Sequence, residues 1–373
     1  MLLTAGRVVT PARTAAPGWV HVEGDRIVDV GSGEPPRAAD VSLPGATLVP
    51  GFVDTHVHGG GGASFDGGDP ESAATAVRAH RAHGTTTMIA SLVTEGSEVL
   101  AVSVRGLADL VDDGLLAGIH LEGPWLSPRY AGAHDPGLLT DPTPRAVDAL
   151  LEAGRGHVRM VTLAPELDGG LDAVRRLAGA GVVAAIGHTD ATYDIACAAL
   201  EAGAGVGTHL FNAMRGLHHR EPGPIAALLE HPEAYVELVS DGVHVHPAAL
   251  RLAARAKPGL VVLVTDAMAA AAAADGDYRL GRLTVEVREG VARLADSGAI
   301  AGSTLTMAAA VKYAVQVAGL PLEDVVRAAT ASPARLLGLD DVGALAPGLR
   351  ADLVVLDEHL DVQRVLHAGR WFT

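Results

Sequence analysis

The chain has 373 residues, 49% of them hydrophobic and 19% charged, which indicates a well-packed globular protein and excludes a disordered one. Its formal net charge of -16 argues against broad nucleic-acid binding and against attraction to anionic membranes. The N-terminus lacks a signal-peptide pattern, the apolar runs are shorter than the roughly 20 residues that span a bilayer, and the single Cys197 excludes an intramolecular disulfide. These features predict a soluble, cytoplasmic, acidic enzyme.

The two ends of the chain carry short alternating strands joined by glycine and proline turns. Residues 1–49 contain several such runs, and residues 343–373 contain more. Neither end is long enough to form a stable unit alone, so we expect the two to pair into one small, discontinuous β-sandwich domain. Residues 50–342 then form the catalytic domain.

Eight short β-rich runs alternate with helical stretches between these ends. The runs cover residues 47–58, 84–92, 116–122, 158–164, 182–188, 203–209, 235–240 and 260–266. The clearest helical segments cover residues 70–83, 97–112, 144–153 and 192–202. Buried parallel strands read as continuous apolar runs, so the pattern predicts a TIM-like (β/α)8 barrel. A doubly wound open sheet is the competing fold.

The alanine tract at 269–274 is expected to be a mobile loop near the mouth of the site.

His56 and His58 lie one residue apart at the end of the first run. Alternate residues of a strand face the same side, so both imidazoles can reach one metal ion. An isolated pair of this kind is also common on a half-exposed strand. The metal interpretation rests on polar residues at the ends of the later runs, which are Ser91, Glu122, Glu166, His188, His209, Asp241 and Asp266. The active site of a barrel lies at this end of its strands, and an open sheet would not gather so many of them.

Histidine nitrogens and carboxylate oxygens favour zinc, with iron, manganese or cobalt as alternatives. Glu122, His188 and His209 would bind one ion and leave a position for water. His56, His58 and Asp266 could hold a second ion, with Glu122 bridging the two. The only lysines, Lys257 and Lys312, lie in helical stretches, which makes a carboxylated-lysine bridge the poorer choice.

Asp266 is the candidate general base and acid. A carboxylate beside a metal-activated water can accept its proton and return that proton to a leaving amine. The alternatives are a plain metal ligand or a helix cap.

A basic segment, residues 215–220, follows the sixth run of this acidic chain. Arginine suits a phosphate group, and a charged patch steers an anion whatever the net charge. A solvated basic loop would have the same composition.

Several motifs resemble those of the N-acetylglucosamine-6-phosphate deacetylases, a family of the amidohydrolase superfamily, over essentially the whole chain. They are P-G-F-V-D-T-H-V-H-G, H-L-E-G-P-W, A-G-A-H, G-H-T, T-H-L-F-N-A-M, D-G-V-H, T-D-A-M, A-G-S-T-L-T-M and P-G-L-R-A-D-L-V-V-L. H-L-E-G-P and T-H-L-F-N-A-M are specific to these deacetylases rather than to the superfamily.

The resemblance implies a metal on Glu122, His188 and His209, with Asp266 catalytic. The implied substrate contacts are Ala133, His134, Asn212, Ala213, Arg220, His244, Ile300, Ala301 and Gly302. Arg220 is expected to reach the phosphate in the neighbouring subunit, which implies a homodimer. Some members lack the H-x-H pair and use one metal; this chain keeps both histidines, so one or two ions per subunit remain open.

The implied reaction is metal-dependent hydrolysis of the N-acetyl group of N-acetylglucosamine 6-phosphate to glucosamine 6-phosphate and acetate. Asp266 would act on a metal-activated water, while His134 and His244 position the sugar and its amide. The same metal ligands would serve another amide, such as N-acetylgalactosamine 6-phosphate, an N-acyl amino acid or a cyclic amide. A non-enzymatic barrel scaffold is a further alternative. No nucleic-acid or membrane partner is expected.

Overall fold

The computed structural model describes residues 1–10 and 13–373 of the chain, which begins with five strands. They are β1 (Leu2–Val9), β2 (Thr14–Ala15), β3 (Gly18–Glu23), β4 (Arg26–Ser32) and β5 (Val41–Pro50). Strand β1 runs parallel to β5 and antiparallel to β2 and β3, and β4 pairs with β3.

The strands of the central segment are short and mostly buried. They are β6 (Phe52–Asp54), β7 (Gly59–Gly60), β8 (Ala63–Ser64), β9 (Thr85–Met88), β10 (Ala90–Leu92), β11 (Ile119–Glu122), β12 (Val158–Leu163), β13 (Val183–Ile186), β14 (Ala204–Gly207), β15 (Tyr235–Val239) and β16 (Val261–Val264). Strands β10 to β16 form a parallel sheet in chain order, and β6 pairs with β9 in parallel. Strands β7 and β8 form a small antiparallel hairpin.

The parallel strands curl so that the first lies between the second and the last. On one side, Ile89 N donates to Asp54 O at 3.1 Å, and Ser91 N donates to Val57 O at 2.9 Å. On the other side, Asp266 N donates to His56 O at 2.8 Å, and residues 57 and 267 form a parallel bridge. The fold is therefore a mixed α/β architecture with a curled parallel sheet, and the carboxyl ends of its strands meet at one edge.

Ten α-helices accompany the strands in the described part of the chain. They are α1 (Pro70–Ala82), α2 (Ser97–Asp112), α3 (Pro144–Ala153), α4 (Gly170–Gly179), α5 (Tyr193–Glu201), α6 (Gly223–Glu230), α7 (Pro247–Ala256), α8 (Met307–Gln316), α9 (Leu322–Ala329) and α10 (Ala331–Leu336). Helix α1 shows why they begin where they do: Asp69 accepts from Ser72 N at 2.8 Å, and proline occupies the first turn. The four helical segments expected from the sequence are confirmed within one residue at each end.

A three-stranded antiparallel sheet follows β16 and was not expected from the sequence. Its strands are β17 (Gly276–Leu280), β18 (Leu283–Arg288) and β19 (Val291–Leu294). The run Leu-Thr-Val-Glu-Val-Arg of β18 alternates apolar and polar residues and carries the signal of a strand. The preceding alanine tract starts as a buried segment, and Ala271 O accepts from Gly61 N at 2.7 Å. The expected mobile loop is therefore wrong for the first half of this tract.

The last strands return to the first sheet. They are β20 (Leu353–Leu356), β21 (Val362–His367) and β22 (Arg370–Trp371). Strand β20 pairs antiparallel with β5, and the sheet has the order β22-β21-β20-β5-β1-β3-β4. This sheet has its own apolar cluster, built around residues such as Leu3, Leu48 and Leu366.

Candidate active site and metal centre

The six predicted metal ligands converge at the carboxyl ends of the curled sheet. Glu122 is the last residue of β11, and the others follow the ends of β6, β13, β14 and β16. All six side chains are buried, and they are His56, His58, Glu122, His188, His209 and Asp266.

Glu122 lies at the centre of this cluster and directs its two oxygens to different histidine pairs. Its Oε1 is 3.0 Å from Nε2 of His188 and 3.0 Å from Nε2 of His209. Its Oε2 is 3.2 Å from Nε2 of His58 and 3.5 Å from Nε2 of His56. The carboxylate therefore has the geometry of a shared ligand.

Asp266 completes the half of the cluster around the H-x-H pair. Its Oδ1 is 3.3 Å from Nε2 of His58 and 3.5 Å from Nε2 of His56. His56, His58, Glu122 and Asp266 each offer one ligand atom, and these four atoms all lie within 4.8 Å of one another.

The cluster fits a bound cation. Nε2 of His56 is 3.1 Å from Nε2 of His58, and the Nε2 atoms of His188 and His209 are also 3.1 Å apart. Nitrogen lone pairs and carboxylate oxygens thus converge, and a cation satisfies them together. Although burial disfavours a charged ring, hydrogen bonds to Asp266 and Glu122 raise the pKa of His58 to about 9. The site electrostatically favours positive charge, as a divalent metal requires.

Two of the histidines have a partner that fixes their orientation. Nδ1 of His188 is 2.8 Å from the carbonyl oxygen of Tyr130, and Nδ1 of His56 is 3.2 Å from Oε2 of Glu237. Both acceptors require a proton on Nδ1. The neutral rings therefore present the Nε2 lone pair to the cluster, as metal-ligating histidines do.

His134 has the opposite tautomer. Its Nδ1 accepts from Thr94 N at 3.2 Å, so the neutral ring carries its proton on Nε2, which lies 3.5 Å from Oε2 of Glu122. Burial lowers the pKa of His134 to about 4 and keeps the ring neutral. Although its ring also groups with Glu122 and His188 in space, this tautomer makes His134 a hydrogen-bond donor rather than a metal ligand.

Three of the candidate ligands have a left-handed backbone. The φ angles of His188, His209 and Asp266 are 47°, 27° and 49°. Such conformations cost of order 1–3 kcal/mol each and persist where the surrounding structure enforces them. Their coincidence at three strand ends marks a functional site.

Five of the six candidate ligands, all except His56, line a cavity of about 370 Å³. Seven of the nine predicted substrate contacts line it: Ala133, His134, Asn212, Ala213, His244, Ile300 and Gly302. Ala301 instead lies in a buried apolar cluster with Met268 and Val285. Arg220 is exposed outside the cavity wall, with Nη1 2.7 Å from His219 Nε2.

His244 is oriented by Asp241, which follows β15. Oδ2 of Asp241 is 2.6 Å from Nδ1 of His244, and Oδ1 accepts from the backbone N–H groups of Val243 and His244, both at 2.8 Å. Although burial opposes it, this carboxylate raises the pKa of His244. The ring is thus held in one orientation in the cavity wall.

The other two strand-end residues, Ser91 and Glu166, contact residues next to the ligand cluster. Oγ of Ser91 is 2.9 Å from Nδ1 of His120. Glu166 accepts from Thr189 Oγ1 at 2.5 Å and from Asp190 N at 2.6 Å, next to His188. Neither forms part of the ligand cluster.

Sequence reasoning missed three residues. Glu237 and His120 are buried within strands β15 and β11, where a polar residue interrupts an apolar run and gives a usable signal. Arg129 lines the cavity with Nη1 2.6 Å from Oδ2 of Asp190, and it lies in a short 3-10 helix (Pro128–Tyr130) whose sequence has no distinguishing pattern.

Comparison with known sequences shows the family of the chain. The profile of the Amidohydrolase family matches residues 47–371. The N-acetylgalactosamine-6-phosphate deacetylase of Escherichia coli O157:H7 is 37% identical over 360 residues, which is 95% of each chain. The N-acetylglucosamine-6-phosphate deacetylase of Vibrio furnissii is 36% identical over 340 residues, covering 90% of this chain and 85% of the relative.

Solved structures agree with these matches. An aspartate-to-alanine mutant of the Mycobacterium smegmatis N-acetyl-D-glucosamine-6-phosphate deacetylase, in complex with N-acetyl-D-glucosamine-6-phosphate, is 54% identical, with a TM-score of 0.98 over 100% of this chain and 98% of that one. The Thermotoga maritima N-acetylglucosamine-6-phosphate deacetylase is 32% identical, with a TM-score of 0.90 over 100% of this chain and 99% of that one. The chain therefore belongs to the amidohydrolase superfamily and, within it, to the family of N-acetylglucosamine-6-phosphate deacetylases.

Proposed function

We propose that the protein hydrolyses the acetamide bond of N-acetylglucosamine 6-phosphate and releases glucosamine 6-phosphate and acetate. The observation that carries this proposal is the buried cluster around Glu122, in which Asp266 faces both a histidine pair and a cavity lined by polar groups. The sequence motifs of the chain, and its 54% identity to a deacetylase whose structure contains this phosphosugar, support the choice of substrate.

We propose zinc as the metal: Glu122, His188 and His209 would hold one ion, and His56, His58 and Asp266, together with Glu122, could hold a second. The nitrogen and oxygen donor set also admits iron, manganese or cobalt. When bound, the metal supplies Lewis-acid chemistry, which polarises an amide carbonyl and makes a water molecule more acidic.

Asp266 is the group that we propose moves the proton. Burial opposes its ionisation, but His56 and His58 outweigh burial and hold the pKa of Asp266 well below its usual range. The carboxylate is therefore ionised at neutral pH and accepts a proton from the water that attacks the acetyl carbon. It then returns that proton to the amine nitrogen as the C–N bond breaks.

His134 and His244 are proposed to position the substrate. Both line the cavity, and the orientation of each ring is fixed by a partner, Thr94 for His134 and Asp241 for His244. Polar rings that are held in place before the substrate arrives can position its amide and sugar groups without a further ordering cost.

We also propose that the curled sheet closes into an eight-stranded (β/α)8 barrel over residues 50–342. The hydrogen bonds of the first strand to both its neighbours support closure. The sheet of residues 1–49 and 343–373, with its separate apolar cluster, is proposed to be a small β-sandwich domain beside it.

The assembly is proposed to be a cytoplasmic homodimer whose partner is a small phosphorylated amino sugar. No helix among the residues described is long and apolar enough to cross a bilayer. Arg220 is exposed outside its own cavity, which fits a guanidinium that serves the phosphate site of a second copy.

Acetate release tests the proposed function. Purified protein with its zinc content determined is expected to hydrolyse N-acetylglucosamine 6-phosphate and to leave the unphosphorylated sugar almost untouched. N-acetylgalactosamine 6-phosphate is the second candidate substrate, because the E. coli relative matched over 95% of this chain is named for it. Faster turnover of N-acetylgalactosamine 6-phosphate would make it the preferred substrate and N-acetylglucosamine 6-phosphate the secondary one. No turnover of either by zinc-loaded protein would contradict the deacetylase proposal.

Replacing Arg220 with alanine is expected to raise the KM for the phosphosugar about 10- to 100-fold, since a charge-assisted hydrogen bond contributes about 1.5–3 kcal/mol. The kcat should change little, because the guanidinium lies away from the reacting amide. Arg105→Ala, which alters an exposed arginine of α2, is the matched control and should behave as wild type. An unchanged KM would instead assign the phosphate to groups such as Arg129 of the same chain.

Mixed dimers test the shared site. The variants Arg220→Ala and Asp266→Asn are each impaired alone, but a hybrid dimer contains one site with Asp266 from one chain and Arg220 from the other. Activity at low substrate concentration should therefore recover on mixing. If Arg220 serves its own chain, no hybrid site is complete and mixing restores nothing.

A further inference from the structure

Glu237 is a fully buried carboxylate in the middle of β15, and the reaction proposed above does not use it. Its Oε1 accepts from Thr55 Oγ1 at 3.2 Å. Its Oε2 is 3.2 Å from Nδ1 of His56 and accepts from His209 N at 3.4 Å. Burying a carboxylate is costly unless it is hydrogen-bonded, so these donors account for its presence inside the sheet.

The contact with Glu237 distinguishes His56 from the neighbouring rings. A carboxylate at Nδ1 keeps the proton on that nitrogen and directs the Nε2 lone pair to Glu122 and Asp266. The Nδ1 atoms of His58 and His209 are buried without a hydrogen-bond partner among the residues described. Within the H-x-H pair, only His56 is therefore oriented by a charged group.

A second side chain packs against the ring of His56. The ring of His120 lies nearly perpendicular to it, with centroids 4.6 Å apart and planes at 80°. His120 is itself fixed, with Nδ1 2.9 Å from Ser91 Oγ and Nε2 2.8 Å from Thr162 Oγ1. The ring of His56 is thus held by Glu237 at Nδ1 and by the packed ring of His120.

The other half of the cluster has a separate orienting contact. Nδ1 of His188 is 2.8 Å from the carbonyl oxygen of Tyr130, and Glu237 reaches this half only through the long backbone contact to His209. Loss of the Glu237 charge therefore acts mainly on the half formed by His56, His58 and Asp266.

We infer that Glu237 is a positioning residue that makes His56 a metal ligand and so determines whether the chain retains an ion on the His56–His58–Asp266 side of Glu122. The inference rests on the proposed metal-dependent function. Glu237 acts through His56 and has no contact with the substrate cavity among the residues described. Outer carboxylates of this kind change metal affinity by roughly 10- to 100-fold.

Zinc binding by Glu237→Gln tests the inference. Glutamine keeps the size of the side chain and one acceptor oxygen but removes the charge that favours the Nδ1 proton. Wild type is expected to bind two zinc ions per chain in a titration with a competing chromophoric chelator. In Glu237→Gln one of these two affinities should fall roughly 10- to 100-fold while the other stays within experimental error.

Thermal unfolding separates a positioning role from a structural one. A positioning role leaves the Tm of metal-free protein near that of wild type and reduces the increase in Tm caused by added zinc, because stabilisation by a ligand follows its affinity. A purely structural role lowers the Tm of metal-free protein and leaves both zinc affinities unchanged, which would overturn the inference. Asp352→Asn, which alters a buried carboxylate bonded to Arg350 and His367, is the matched control and should keep both zinc affinities.

A second variant covers the case in which Glu237→Gln does not fold. Thr55→Val removes the hydroxyl that donates to Glu237 and leaves His56 in place, so the same ion should bind several-fold more weakly. Unchanged affinities in the variants, whether wild type holds one ion or two, would overturn the role of Glu237 and leave the deacetylase function standing. Wild-type protein that binds no zinc or other divalent metal would instead refute the proposed function.

Discussion

Asp266→Asn is expected to reduce turnover of N-acetylglucosamine 6-phosphate by about 10²–10⁴-fold, the usual contribution of a general acid–base group. Asparagine keeps the shape of the side chain and one oxygen that faces the H-x-H pair, but it cannot accept a proton from water. The KM should change little, because the substrate-facing groups His134 and His244 stay in place. Steady-state acetate release, with zinc content measured on the same sample, checks this result.

Zinc content distinguishes the two roles that Asp266 can have. Retained zinc with a large fall in kcat identifies it as the group that moves the proton. Loss of zinc in proportion to activity would show that the residue serves mainly as a ligand, through the 3.3 Å and 3.5 Å approaches of Oδ1 to His58 and His56. Asp352→Asn is again the control and should retain both zinc and activity, and near wild-type turnover of Asp266→Asn would refute its catalytic role.

The location of the cluster could be predicted from the sequence because the rule that places it is topological. Parallel strands joined by helices bring all their carboxyl ends to one edge, so a polar residue after each apolar run is enough to locate the site. The rule needs no side-chain detail, and it brings together residues as distant in sequence as His56 and Asp266.

The surroundings of the cluster could not be predicted in the same way. Glu237 and His120 lie inside apolar runs, and the sequence does not say whether such a residue faces the interior of the curled sheet or the helices. Ala301 and Gly302 are adjacent, yet of these two only Gly302 lines the cavity while Ala301 packs in an apolar cluster, which the sequence does not indicate. Strand β18 has an alternating pattern, but it follows the eighth apolar run and so does not belong to the alternation of strands and helices that predicts the barrel.

Glu122→Gln is expected to have a larger effect on metal binding than Glu237→Gln. Each carboxylate oxygen of Glu122 serves a different histidine pair, with Oε1 at 3.0 Å from His188 and His209 and Oε2 at 3.2 Å from His58. Glutamine can present an oxygen to one pair only and must present an NH₂ group to the other. Zinc affinity should therefore fall on both sides, by more than the roughly 10- to 100-fold expected for an outer carboxylate, and turnover should fall with it.

The pattern of zinc loss decides whether Glu122 is a shared ligand. Glu166→Gln is the matched control, because this strand-end carboxylate accepts from Thr189 Oγ1 and Asp190 N rather than facing imidazole lone pairs, and it should keep its zinc. If Glu122→Gln weakens both ions, the carboxylate bridges two metals, and Glu237→Gln should weaken only one of them. If it weakens one ion and leaves the other unchanged, Glu122 belongs to a single ion. Retention of both affinities would refute its role as a ligand. The contacts of its oxygens with the four histidines would then be ordinary hydrogen bonds from protonated Nε2 atoms.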